Sequence, residues 1–178
     1  MMSKMISRRV FLKATGLAVL SATAAGALAG CGGGGSSIAI PDAPTMSNNF
    51  EPMDTFKINM SALETWEYNG SYYLYAILRI TENTLSTFTI TTNDFTCTVG
   101  GSSVDVYSLG HVAAAGAPFA NYNVNTETAS IPLYIKVPRQ QCTTDVPVQI
   151  VFKHNNQRMT FDFEPNKSYP ELTPSTIS

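Results

Sequence analysis

Tyr72-Tyr73-Leu74-Tyr75-Ala76-Ile77-Leu78-Arg79-Ile80-Thr81 is the stretch that decides the fold. Tyr72, Leu74, Ala76, Leu78 and Ile80 share one parity, while Tyr73, Tyr75 and Arg79 share the other. A period of two belongs to a half-buried β-strand, whose successive side chains point to opposite faces. Just upstream, Asn69-Gly70 separates this stretch from Trp66-Glu67-Tyr68. Asn and Gly tolerate the positive φ that a two-residue turn demands, so the two segments are expected to pair as a hairpin.

The same alternation recurs on both sides. Phe56, Ile58 and Met60 alternate with Lys57 and Asn59, and Phe88 and Ile90 alternate with Thr87, Thr89 and Thr91. Phe95, Cys97 and Val99 follow, and Gly100-Gly101 turns the chain into Val104 and Val106. Further on come Ile131 to Val137, Val146 to Phe152 and Met159 to Phe163, the last two joined by Asn155-Asn156. No helical period interrupts them. A series of about seven to eight short strands with turn signals between them closes most naturally as two packed sheets, so the expectation is an all-β, immunoglobulin-like antiparallel β-sandwich. It should span residues 55–164.

The apolar strand Tyr75 to Thr81, the element Ile131-Pro132-Leu133-Tyr134-Ile135-Lys136-Val137-Pro138, and the strands Val148 to Lys153 and Met159 to Phe163 occur in an order that resembles the immunoglobulin-like domains of small exported bacterial lipoproteins, the DUF4352 or telokin-like group. The resemblance covers roughly residues 55–164. It implies an extracytoplasmic, non-catalytic domain and brings no catalytic residues.

The N-terminus carries an address. Residues 1–30 have a basic start, an apolar middle and small residues at the end, the three-part grammar of a secretory signal. Ser7-Arg8-Arg9-Val10-Phe11-Leu12-Lys13 resembles the twin-arginine export motif, with Arg8, Arg9, Phe11, Leu12 and Lys13 as its core. Ala14 to Ala29 is 16 residues long, shorter than the roughly 20 apolar residues a spanning helix needs. Leu28-Ala29-Gly30-Cys31 resembles a lipobox, which makes Cys31 the expected lipidated N-terminus and the membrane a partner through its acyl chains. Gly32 to Ser37 and Pro41, Pro44 and Pro52 then read as a flexible, partly stiffened tether over 31–54. Pro165, Pro170 and Pro174 mark 165–178 as a C-terminal tail.

Removing residues 1–30 from 178 leaves 148, one domain's worth of chain. Lys4, Arg8, Arg9 and Lys13 leave with the signal, so seven basic residues face thirteen acidic ones and the net charge is −6. An acidic, lysine-poor surface repels phosphate backbones and anionic head groups, which argues against nucleic acid as a partner.

Little chemistry is visible. Cys97 and Cys142 lie in the exported part of the chain, where oxidation is permitted, and are the candidate disulfide. His111 and His154 are the only histidines; neither has the neighbours that a triad or a copper or zinc site requires, and His154 reads as an exposed hairpin end. Glu64, Glu67, Asp94, Asp105, Asp162 and Glu164 occupy outward or turn positions, where solubility explains them. No enzyme activity, cofactor or metal is therefore expected.

Function narrows to a lipid-anchored, extracytoplasmic binding or interaction module of the cell envelope, its protein or ligand partner unspecified. The alternative is a small-ligand or metal-carrying accessory lipoprotein, which needs a pocket beside Trp66, Tyr68, Tyr73 and Tyr75. Alternation fails over Ser108 to Ala129, and loops beyond roughly 12 to 15 residues are usually functional or disordered. Phe119 and Tyr122 are the candidate partner-binding anchors there.

Overall fold

The structure is a computed structural model that describes residues 44–46, 49–84, 87–110 and 118–177. The export motif, Cys31, the tether up to residue 43 and His111 lie outside the described residues. Thirteen strands occupy the described residues: β1 (Glu51–Met53), β2 (Phe56–Met60), β3 (Glu64–Tyr68), β4 (Ser71–Thr81), β5 (Phe88–Thr91), β6 (Phe95–Val99), β7 (Ser102–Val104), β8 (Val106–Leu109), β9 (Asn121–Val124), β10 (Ala129–Val137), β11 (Val148–His154), β12 (Gln157–Phe163) and β13 (Glu171–Thr176). Thr92–Asp94 and Arg139–Gln141 are single 3-10 turns.

A six-stranded antiparallel sheet runs β1-β2-β4-β10-β8, with β3 also paired to β4; a five-stranded sheet runs β13-β12-β11-β6-β7; and β5 and β9 form a two-stranded ribbon. The chain crosses between the two large sheets at Asp105, between β7 and β8. One core takes alternate residues from all three sheets: Ile58, Leu74, Leu78, Ile80, Leu133 and Ile135 from the first, Cys97, Ile150, Phe152, Met159 and Phe161 from the second, and Ile90 and Val124 from the ribbon. The fold is an all-β, immunoglobulin-like antiparallel sandwich.

Local chemistry explains the turns. Asn69 and Gly70 stand at φ 48° and 69°, closing the β3–β4 hairpin with Tyr68 opposite Ser71. Gly100 and Gly101, at φ 57° and 80°, close β6 onto β7, and Asn155, at φ 51°, begins the turn between β11 and β12. Between β2 and β3 the edge alongside β4 breaks, because β2 pairs with residues 78–81 of β4 and β3 with residues 71–75. Ser61 spans the break. Its N–H donates to the Ile77 carbonyl over 3.0 Å and its hydroxyl oxygen accepts the Ile77 N–H over 2.8 Å, so a side chain supplies a partner that the strand lacks there.

Two boundaries move. The domain does not wait for residue 55: Pro44 is buried, Thr45 O accepts the Ala62 N–H over 2.9 Å, and β1 pairs with β2. The segment read as a tail adds an edge strand instead, with Asp162 to Gln157 of β12 opposite Glu171 to Thr176. Pro174 does not prevent this, since an edge strand can turn its missing N–H toward solvent. Lys167 bridges Glu164 at 3.0 Å and Glu171 at 3.7 Å, tying the connecting segment to the new strand.

Candidate functional site

The interval Ser108 to Ala129 holds both proposed anchors, and the structure separates them. Asn121–Val124 is a strand paired with β5, which shortens the expected loop from its C-terminal side. Tyr122, opposite Ile90, is half-buried and packs against the main core, so its ring is a wall of the sandwich and not a free anchor. Phe119 differs: it is 43% exposed. Its backbone is nonetheless held, because its N–H donates to Ser108 Oγ over 2.9 Å and its carbonyl accepts the Leu109 N–H over 2.9 Å. An exposed phenyl on a pinned backbone loses little entropy on being covered.

The aromatics named for a ligand pocket fill their own space. Tyr73 and Tyr75 lie on the face of β4 opposite the main core, yet both are buried, as is Tyr134 beside them. Trp66 stacks on Tyr68 at 5.1 Å between ring centroids and lies 5.5 Å from Tyr73 and 5.2 Å from Tyr134. Tyr75 stacks on Tyr134 at 4.9 Å, and Tyr107 joins at 5.7 Å from Tyr73 with the Lys136 ammonium over its ring. This is a second, smaller core on the outside of the six-stranded sheet. Burial pushes the Tyr75 hydroxyl up to about 12 and the Tyr134 hydroxyl further in the same direction, the latter also repelled by Tyr75, so neither ionises near neutrality. Tyr107 and Tyr134 escaped the sequence reading. The available signal was the second parity of β4, too aromatic for a wetted face.

Shallow depressions lie elsewhere, one among Pro52, Met53, Gln157 and Pro174 and another among Thr98, Pro147, Gln149, Asp162 and Glu171. Asp162 there accepts a hydrogen bond from Gln149 over 2.7 Å, and Glu164 pairs with Lys167. Among the described residues no three His, Cys, Asp or Glu side chains gather as a metal site would require, and no helix is long and apolar enough to cross a membrane.

The expected disulfide is a correction. Cys97 and Cys142 are separate thiols. Cys97 is buried on β6 of the five-stranded sheet, paired across to Ile150 and Val104. Cys142, half-buried after the Arg139–Gln141 turn, brings its sulfur 3.5 Å from the Tyr73 carbonyl and 4.0 Å from that of Trp66, both in the six-stranded sheet. Turned toward these carbonyls, the Cys142 sulfur is engaged at the six-stranded sheet, while Cys97 belongs to the five-stranded one. Burial pushes the Cys97 thiol up to about 12, so it is an inert core residue.

His154 is not the exposed hairpin end that the sequence suggests. Its ring lies 5.1 Å from Phe56, 4.9 Å from Phe88 and 6.2 Å from Phe152. Burial holds its pKa below the ordinary value of 6.5, against the pull of Asp94 and Asp54.

No protein-family model, curated protein or solved structure matches this chain. The functional reading therefore rests on its own residues.

Proposed function

We propose that the protein is a lipid-anchored, extracytoplasmic lipoprotein whose sandwich serves as a non-catalytic interaction module of the cell envelope, of the kind found in the DUF4352 or telokin-like group. The twin-arginine-like Ser7 to Lys13 and the lipobox ending at Cys31 support the address. The observation that carries the interaction is Phe119, an exposed aromatic ring on a backbone fixed by Ser108 and Leu109. Such a ring is the usual kind of binding hot spot. The stacked Trp66, Tyr68, Tyr73 and Tyr134 give no opening for a small ligand, which favours a surface interaction over a carried molecule.

Three measurements test this reading. Intact mass of the membrane fraction should show a diacylglyceryl adduct on Cys31, and Cys31→Ala should leave the membrane or stay unprocessed. Replacing Arg8 and Arg9 by Lys should strand the precursor in the cytoplasm. A photo-crosslinker at position 119 should join one envelope component reproducibly, and excess soluble domain should compete it away. A Cys31→Ala protein that loses residues 1–30 and still stays on the membrane refutes the anchor; crosslinks no more specific than those from exposed Tyr169 refute the site.

A further inference from the structure

At one corner of the sandwich all three sheets meet around a single imidazole. Phe56 comes from β2, Phe88 from β5, and Phe152 from β11, the strand that ends on His154 itself. Phe56 and Phe88 stack on each other at 5.4 Å with 4° between their planes, and His154 packs against both. The corner is also tied through the backbone: the Asp54 N–H donates to the side-chain carbonyl of Gln157, the residue opposite His154 across the β11–β12 turn.

Among the described residues two buried side-chain polar atoms have no hydrogen-bond partner, Thr55 Oγ1 and His154 Nε2, and the second belongs to this corner. Buried polar atoms are nearly always paired, so the unpartnered Nε2 sets His154 apart from the aromatic rings around it. A neutral imidazole, with one N–H and one lone pair, behaves there as a third aromatic filler. A protonated one has two donors and a charge. No described residue accepts at its Nε2.

We propose that His154 is an acid-sensitive latch, which in its neutral form closes the corner shared by β2, β5 and β11 and on protonation opens it. The charged groups on the neighbouring elements set the direction. Asp54 precedes β2 and Asp94 follows β5; Lys57 of β2 is engaged by Glu82 at 2.8 Å, β5 carries no charge, and the Arg158 guanidinium on β12 donates to Ser175. Lys153, next to His154 on β11, is exposed. An imidazolium therefore gains by leaving the phenyl rings for the carboxylates. Asp94 is already engaged: its carboxylate accepts the Thr91 N–H over 2.6 Å and the Thr91 hydroxyl over 3.1 Å, fixing the end of β5. Competition for that carboxylate loosens the end of β5, and departure of the ring leaves Phe88 short of a neighbour. The ribbon continues through β9, which begins two residues after Phe119, but the latch stands whether or not that residue binds a partner.

The sign follows from linkage. Because His154 binds its proton less readily folded than unfolded, its contribution is complete above 6.5 and is lost as pH falls below it toward the lower folded value. Hydrogen exchange of the full-length protein, corrected for intrinsic rates, should show protection over residues 87–92 falling between about pH 7.5 and about pH 5, while Ile150 and Phe161 keep theirs. His154→Phe, which fills the corner and cannot titrate, should abolish the change. An equal loss in His154→Phe would assign the effect to Asp54 or Asp94 and overturn the latch, as would protection that holds or rises in acid. Should that variant not fold, an NMR titration of the His154 Cε1–H in the unaltered protein decides the matter. A midpoint at or above 6.5 overturns the proposal.

Discussion

Ser61 and Ile77 are joined twice, by the Ser61 N–H to the Ile77 carbonyl at 3.0 Å and by the Ile77 N–H to Ser61 Oγ at 2.8 Å. The serine is fully buried, and its hydroxyl in turn donates to the Ala62 carbonyl over 2.8 Å. Through this pair β2 and β3 lie along one edge of β4 despite the break between them, and β4 carries a core on each face. Ser61→Ala leaves a buried Ile77 N–H without its acceptor, which should cost about 1–3 kcal/mol in urea unfolding. A change under about 0.5 kcal/mol, the size expected of an ordinary surface site, would show that the break is satisfied in another way.

Phe119 and Tyr122 should separate by stability. Phe119→Ala removes an exposed ring and should shift the unfolding free energy by less than about 0.5 kcal/mol. Tyr122→Ala removes a ring packed against the core and should cost about 2 kcal/mol. Thermal or urea melts of the two variants check this, and equal losses would place Phe119 in the core as well.

The thiols should remain separate under oxidising conditions. Mass mapping without reductant should recover Cys97 and Cys142 as independently alkylated residues, with Cys142 labelled in the native state and buried Cys97 only after unfolding. A peptide linking the two would show that the sheets approach more closely at that end than the contacts of Cys142 with Tyr73 and Trp66 indicate.

Removing Pro170 to Ser178 should be harmful, although three prolines make this end read as a tail. The deletion uncovers the β12 edge from Gln157 to Asp162 and removes Leu172, which packs against the core. An unpaired strand edge is a template for association, so both a lower melting temperature and concentration-dependent light scattering are expected. An unchanged melt would return the segment to the status of a tail.

The class of fold was legible in the residues themselves, and the expectation of an export address rests on residues just as local. Ser7 to Lys13, the small residues before Cys31 and the glycines after it are local signals that need no tertiary context to be read. So are the period of two in β4 and the turn dipeptides Asn69-Gly70, Gly100-Gly101 and Asn155-Asn156, each found at positive φ in at least its first residue. Periodicity tells which residues share a face, because the pleat enforces it. It does not tell what lies over that face. That Tyr73 and Tyr75 are buried on the side away from the main core depends on Trp66, Tyr107 and Tyr134, brought up by three other strands. The edge strand β13, the pairing of β9 with β5 and the separation of Cys97 from Cys142 depend likewise on partners far away in the chain. His154 is the sharpest case. Its neighbours in sequence, Lys153 and Asn155, are polar and mark a turn, while Phe56 and Phe88, which bury its ring and so lower its pKa, reach it only when all three sheets assemble. Local chemistry determined the central strands and the turns; pairing between distant segments added β9 and β13, and desolvation decided which side chains were left to do anything.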